Sequence, residues 1–290
     1  MERTANTKEL LIAQAEQAKR IMADGGYRIG DHVVDLHVAL VRCRAGVELI
    51  TPEQWGGILH ESRTRCIRPA AALVTMTAET TLQALERLAG KGCADIAALN
   101  FASARRPGGG WDTGASAQEE TLARSSALII TLERAPEYYA ANRQYDHLFY
   151  SEHAIWSPAV PFFAQDDGTL MSVPYQAGII TMPAPNVGAM IQLNEADCLA
   201  LPALWRRRIG CVLALAIHRG VRHLVLGAWG CGAFGNDPIL VTRCFHEALY
   251  GSERWLNGLE SVTFAINDSS RHQNCYSAFR SSFPLQEGNA

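Results

Sequence analysis

Asn100 to Arg124 reads NFASARRPGGGWDTGASAQEETLAR. The stretch leaves an apolar run, passes through a glycine loop and enters a helix that opens on one amide and two acids. Gly108, Gly109 and Gly110 form a backbone able to approach a ligand closely and to take positive φ. After seven more residues, Gln118, Glu119 and Glu120 start a helix, where backbone N–H groups point outward and attract anions. Two carboxylates set against such a loop point to hydrolysis at the glycosidic centre of a phosphorylated sugar.

Outward from that stretch, strand and helix alternate. AALVTM (71–76) and DIAALN (95–100) are compact apolar strands. Between them a helix over 79–90 turns Leu82, Leu85 and Leu88 inward and stops at Gly90. The helix behind the glycine loop is expected from about Ala117 to Arg134. A looser segment with a turn at Asp166-Asp167-Gly168-Thr169 leads to a strand over 178–183, a long helix over 195–218 and a strand over 223–229. A helix over 237–250, started by Asp237-Pro238, and a strand over 261–267 complete the series. Apolar strands separated by helices indicate a mixed, mostly parallel sheet covered on both faces, a three-layer α/β/α architecture. Ligands of such sheets sit outside the carboxyl ends of the strands. Asn100 with its loop, Gly227 to Phe234, and Asn267-Asp268 all lie at such ends, so one crevice is expected between them.

Towards the amino terminus the spacing predicts a helix over 6–24, capped by Asn6 with Glu9 and ended by Gly25-Gly26. A strand is expected over 31–41, and Thr51-Pro52-Glu53-Gln54 has the form of a helix start. This first quarter reads as an accessory layer, and its His32, His37 and His60 as surface or partly buried packing residues. No linker interrupts the chain. One domain over 1–290 is expected, with an N-terminal helical extension over about 1–65 and a core over about 70–280.

Apolar residues at 48% and charged residues at 19% describe a globular enzyme rather than a disordered or fibrous chain. A net charge of −3 argues against a broad footprint for nucleic acid, so no sequence-specific nucleic-acid partner is expected. The one basic run, Arg206-Arg207-Arg208, reads as a solvated helix face or, alternatively, a polymer-docking patch. None of the eight cysteines is spaced C-x-x-C, which disfavours both a zinc site and a disulfide scaffold. The first residues lack a basic and an apolar region, and no apolar run reaches membrane-spanning length. A cytoplasmic monomer without a membrane partner is expected.

Glu119 has two readings. Ser116-Ala117-Gln118-Glu119 fits a capping box, in which Glu119 bonds back to the helix start. Alternatively it serves the site together with Glu120, which lies about 100° further round the helix. A second loop, Gly227 to Gly235, has four glycines in nine residues and is neither a Walker A sequence nor a dinucleotide fingerprint. Gly230, Cys231, Gly232, Ala233 and Phe234 read as a backbone cradle for a diphosphate, with a tight turn as the plainer alternative. Cys231 is a small filler rather than a nucleophile, since no histidine adjoins it in sequence. Asn100 suits ribose hydroxyls or positioning of the catalytic loop, with a strand-end turn as the plainer alternative, and Ser103 and Thr113 are weaker candidates of that kind. Arg105 and Arg106 meet phosphates or face solvent, and Trp111 lines the cleft or anchors the loop.

The GGG run followed by Gln118-Glu119-Glu120 resembles the signature of poly(ADP-ribose) glycohydrolases. NFASA (Asn100 to Ala104), the PGGGW run and GAWGCGAFGNDP (Gly227 to Pro238) resemble the bacterial-type branch, and the likeness runs from about residue 8 to about residue 268. The resemblance implies a macrodomain fold and release of ADP-ribose from chain ends of poly(ADP-ribose), reversing ADP-ribosylation as in the DNA damage response. It implies Glu120 as general acid/base, Glu119 holding ribose hydroxyls, and the second loop wrapping the diphosphate with Phe234 on the ribose side. It implies no metal and no cofactor; the partners are poly(ADP-ribose) or ADP-ribosylated macromolecules, with ADP-ribose as product. Two rivals remain at this level. A mono-ADP-ribosyl hydrolase acting on protein or nucleic-acid linkages would use the same pocket, and an ADP-ribose-binding module would not need Glu120.

Overall fold

The computed structural model describes residues 2–145, 147–190 and 194–284. Helix α1 (Glu2–Asp24) leads into a hairpin of β1 (Gly26–Ile29) and β2 (His32–Asp35), then α2 (His37–Ala45), β3 (Glu48–Ile50) and α3 (Trp55–Arg65). Next come β4 (Leu73–Thr77), α4 (Thr81–Gly90), β5 (Ile96–Phe101), α5 (Gln118–Ser125), α6 (Leu128–Leu132) and α7 (Pro136–Gln144). The chain continues through β6 (Ala154–Ala164), β7 (Leu170–Met182), α8 (Glu195–His218), β8 (His223–Leu226), α9 (Pro238–Tyr250), β9 (Ser261–Ala265) and α10 (Asn274–Arg280).

Seven strands form one sheet in the order β3-β6-β7-β5-β8-β9-β4. From β7 to β4 every pairing is parallel, and β6 and β3 add an antiparallel edge. One face is covered by α3, α8 and α9 around Trp55, Trp205, Phe245 and Phe264. The other carries α4 to α7 around Leu85, Leu122, Leu128 and Tyr138. A third cluster, with Ala15, Ala18, Ile21, Trp111, Ala123 and Phe163, fastens α1 and the first hairpin to the glycine-loop side. The expected three-layer, mostly parallel architecture is present. Among the described residues no helix is long and apolar enough to cross a membrane.

Several local expectations are corrected. Helix α1 begins at Glu2, so Asn6 lies within it and does not cap it. The strand expected over 31–41 ends at Asp35, because the Asp35 carboxylate accepts a hydrogen bond from His37 N (2.8 Å) and starts α2 instead. The helix expected from Ala117 to Arg134 is two helices. Ser126 is extended (φ −150, ψ 176), bridges to Phe162 of β6, and accepts from Leu128 N with its hydroxyl (3.1 Å). The long β6–β7 hairpin was hidden by Pro158, Pro161 and Pro174 and by register shifts between Ser157 and Val160, features that weaken a strand pattern in sequence. In the basic run, Arg206 and Arg207 are exposed and pair with Glu247 and Glu152, but Arg208 is fully buried. Consecutive helical residues point about 100° apart, so three of them cannot share a solvated face. Arg208 donates through Nη1 and Nη2 to the carbonyls of Phe149, Tyr150, Ser151 and Pro183, which offsets part of what burial costs the cation, while its Nε has no partner among the described residues.

Candidate active site

Strand β5 lies mid-sheet and is apolar until its end, where Asn100 is wholly buried beside its register partner Thr181 on β7. Asn100 Nδ2 donates to Thr181 Oγ1 and to Glu119 Oε1, each at 3.2 Å. Gln118 locks α5 onto the same strand. Its Oε1 accepts from Phe101 N (2.9 Å), and its Nε2 donates to Leu99 O (2.8 Å) and to Thr81 Oγ1 (3.1 Å). The Gln118 amide is thus spent mainly on structure. No side chain caps α5, and Glu119 turns inward rather than back to the helix start, so the capping-box alternative is not the one adopted.

Glu119 is 3% exposed and also accepts from Ser103 N (2.7 Å). The Ser103 hydroxyl in turn accepts from Arg105 N and Arg106 N at 3.2 Å, which turns the chain toward the glycine loop. Glu120 is half-buried, and its Oε1 accepts from Gly110 N (3.0 Å). The two carboxylates close on one point. A Cβ added to Gly109, whose φ is +56, would lie 2.3 Å from Glu120 Oε1 and 3.2 Å from Glu119 Oε2. Trp111 anchors the loop: it is 5% exposed, packs against Gly108, and carries Lys19 over its ring at 5.4 Å. Thr113 Oγ1 donates to Gly110 O (3.1 Å), while Arg105 and Arg106 are exposed, Arg106 paired with Asp112 (2.6 Å).

Burial pushes the Glu119 carboxyl up to about 8 against hydrogen bonds from Ser103 and Asn100 that favour the ionised form, and the charge of Glu120 pushes the same way as burial. The folded chain keeps a proton that the unfolded chain releases near 4.5, so this stabilisation is complete below about 4.5 and lost as pH rises through about 8. Thermal midpoints measured across that window are expected to fall more steeply for the wild type than for Glu119→Gln. Parallel curves would show that Glu119 titrates normally.

The second loop follows β8. Its chain is folded by Cys231 N to Ala228 O (3.1 Å), Gly235 N to Gly232 O (2.9 Å) and Asn236 N to Gly230 O (3.1 Å). Buried Asn236 braces it through Pro185 O and Gly230 O, and Gly188 N donates to Phe234 O (2.8 Å). The N–H groups of Gly230, Gly232, Ala233 and Phe234 have no acceptor among the described residues, and nothing lies within 4 Å of a Cβ added at Gly232. Free amides in an open turn form a concave anion site. The Cys231 thiol is held well above its ordinary value by a hydrogen bond shared with Cys275 and by burial, which fits a filler and not a nucleophile. A cavity of about 410 Å³ opens beside Gln118, walled by Phe101, Leu82, Ala265, Asn267 and, from α1, Leu11. It joins the ends of β5 and β9, and Phe101 in its wall packs against Gly227, where the second loop begins.

A family model described as the catalytic domain of microbial-type poly(ADP-ribose) glycohydrolases matches residues 15–165. The chain belongs to this family. Poly(ADP-ribose) glycohydrolase from Thermomonospora curvata is 38% identical, with a TM-score of 0.89 over 94% of this chain and 99% of that one. The same enzyme bound to the inhibitor ADP-HPD gives 37% and 0.87 over the same shares. The enzyme from Deinococcus radiodurans in complex with ADP-ribose is 41% identical, with a TM-score of 0.78 over 88% of this chain and 98% of that one. No curated protein matches the chain.

At this candidate site, sequence reasoning missed three contributors. Thr181 gives no motif, because only strand register brings it to Asn100. Leu11 belongs to a helix read as accessory, yet it reaches the cavity beside Gln118. Arg124 ended the deciding stretch without a role; its Nη1 donates to Trp111 O (3.1 Å) and Ala115 O (2.6 Å).

Proposed function

We propose that this chain hydrolyses the ribose–ribose O-glycosidic bonds of poly(ADP-ribose) and releases ADP-ribose. The observation that carries the reading is the pair of carboxylates converging on Gly109, one buried and one half-buried, in a member of this family. Glycosidic cleavage needs a proton on the leaving oxygen and stabilisation of an oxocarbenium-like centre. Burial keeps Glu119 toward its neutral form, so the pair carries a proton at neutral pH. Glu120 is the member that water reaches, and we assign it the acid/base step: in its protonated form it gives its proton to the leaving ribose oxygen as the glycosidic bond breaks, and the carboxylate left behind takes a proton back from the water that bonds to the anomeric carbon. Glu119, braced by Asn100 and the Ser103 amide, holds ribose hydroxyls. The free amides of Gly230, Gly232, Ala233 and Phe234 take the diphosphate, and the cavity between Leu11 and Phe101, lined by polar as well as apolar side chains, takes the adenosine end.

Terminal units enter this arrangement most readily, because α1 walls the cavity; trimming from chain ends is the mode we expect. The extension over about 1–65 and the core over about 70–280 then work as one catalytic unit, in a monomer that supplies every site residue itself. The eight free cysteines fit a reducing cytoplasm. Release of ADP-ribose from purified poly(ADP-ribose), with ADP-ribose binding measured calorimetrically, tests the function. Binding without release would leave a binding module or a hydrolase of another ADP-ribosyl linkage, and absence of both would overturn the reading. Chelation of divalent ions is expected to leave the rate unchanged, because carboxyl groups carry both proton transfers; a large loss of rate would put a metal in the mechanism.

A further inference from the structure

Arg124 is 4% exposed, yet neither Asn100 nor either carboxylate bonds to it directly. It lies four residues after Glu120, on the same face of α5. Its guanidinium reaches across to the glycine loop and holds Trp111 O and Ala115 O, the two carbonyls that bracket the turn at Asp112–Gly114. That turn is tied to Gly110, whose carbonyl accepts from Thr113 N (3.0 Å) and Ala115 N (3.2 Å). The N–H of Gly110 returns to Glu120 Oε1. One helix therefore grips the loop twice, through the carboxylate at 120 and the guanidinium at 124. Burial disfavours the guanidinium charge, and the charge of Glu120 offsets part of that penalty.

We propose that Arg124 is a positioning residue that holds the glycine loop in the register presenting the Gly110 amide to Glu120. The assignment rests on the reading of Glu120 as the acid/base group, but its geometry does not. A loop released from Arg124 stays attached through Trp111 and loses its grip at Ala115. Gly110 then drifts, and the carboxylate loses the donor that fixes its direction. Misplacement of a reacting group by about 1 Å costs on the order of a hundredfold in rate.

The test compares wild type with Arg124→Ala by amide hydrogen exchange and by steady-state kinetics on poly(ADP-ribose). The Gly110 amide is expected to exchange at least about tenfold faster while Leu99 in β5 keeps its protection. The kcat is expected to fall about a hundredfold with KM changed less than about threefold. Added ethylguanidinium, which fits the vacated space, is expected to restore part of kcat and of the Gly110 protection. Unchanged protection of Gly110, or a loss spread equally through β5, overturns the proposal, the second by making Arg124 a plain stabilising residue. If wild type releases no ADP-ribose while Gly110 still loses protection in the variant, the positioning role stands and the acid/base reading falls. Should Arg124→Ala not fold, Arg124→Lys keeps the charge without the planar fork. It is expected to show the same losses, smaller in size.

Discussion

Glu120→Gln is expected to remove turnover of poly(ADP-ribose), by a factor of about a hundred to ten thousand, the usual contribution of a positioned acid/base group. Affinity for ADP-ribose is expected to stay within about threefold, since uniform binding does not depend on the proton. The substitution is nearly isosteric, and the amide oxygen of glutamine can still accept the hydrogen bond that Gly110 N gives to Oε1. The glycine loop therefore stays where it is. What disappears is the ability to deliver a proton to the leaving oxygen and to recover one from water. Kinetics of ADP-ribose release, with calorimetry on the same protein samples, separates the two effects. Substantial turnover by the variant would sink the assignment.

The same experiment on Glu119→Gln decides between the two members of the pair. Burial raises Glu119, so on proton affinity alone it is the better reservoir of a proton at neutral pH. Access argues the other way: Glu119 is 3% exposed, with its oxygens already accepting from Asn100 and the Ser103 amide, whereas Glu120 is half-buried and open to water. If Glu120→Gln is mild and Glu119→Gln is severe in kcat alone, proton affinity outweighs access and the roles are exchanged.

Much of this site was legible because its determinants are local. The GGG run, the spacer and Gln118 to Glu120 lie within one loop and one helix start, and backbone permissiveness and helix-end chemistry can be read residue by residue. The alternation of apolar strands with helices likewise announced the parallel part of the sheet. What failed was long-range or conditional. Ser116 to Glu119 satisfies the capping pattern, yet Ser103 N, sixteen positions earlier, and Asn100 compete for the same carboxylate and win. Arg208 sits in a run that looks solvated, and only the carbonyls of Phe149 to Ser151 and Pro183, far away in sequence, show why it is buried. The β6–β7 hairpin is held by pairing across a turn and against β5 and β3, so its prolines and bulges are tolerated where an isolated strand would not survive them.

Gly109→Ala is expected to be nearly as damaging to activity as loss of the acid itself, for a reason that the backbone and the carboxylates share. With φ at +56, any Cβ strains the chain by roughly 1–2 kcal/mol. Strain alone does not stop catalysis, and Gly30 supplies the control. Its φ is +57 and nothing lies within 4 Å of an added Cβ, so Gly30→Ala carries the same strain into open space. At Gly109 the new carbon would sit 2.3 Å from Glu120 Oε1 and 3.1 Å from Glu120 Cδ, with Glu119 Oε2 at 3.2 Å. Glu119 cannot yield, because it is buried and bonded to Asn100 and Ser103. Glu120 must then leave Gly110 N, and the loop must move with it. We expect both variants to lose similar stability in chemical denaturation, on the order of 1–2 kcal/mol, while kcat falls about a hundredfold or more only for Gly109→Ala. Equal activities in the two variants would mean that the carboxylates do not need the bare backbone of Gly109 at their centre, and the convergence of loop and acids on that point would lose its catalytic meaning.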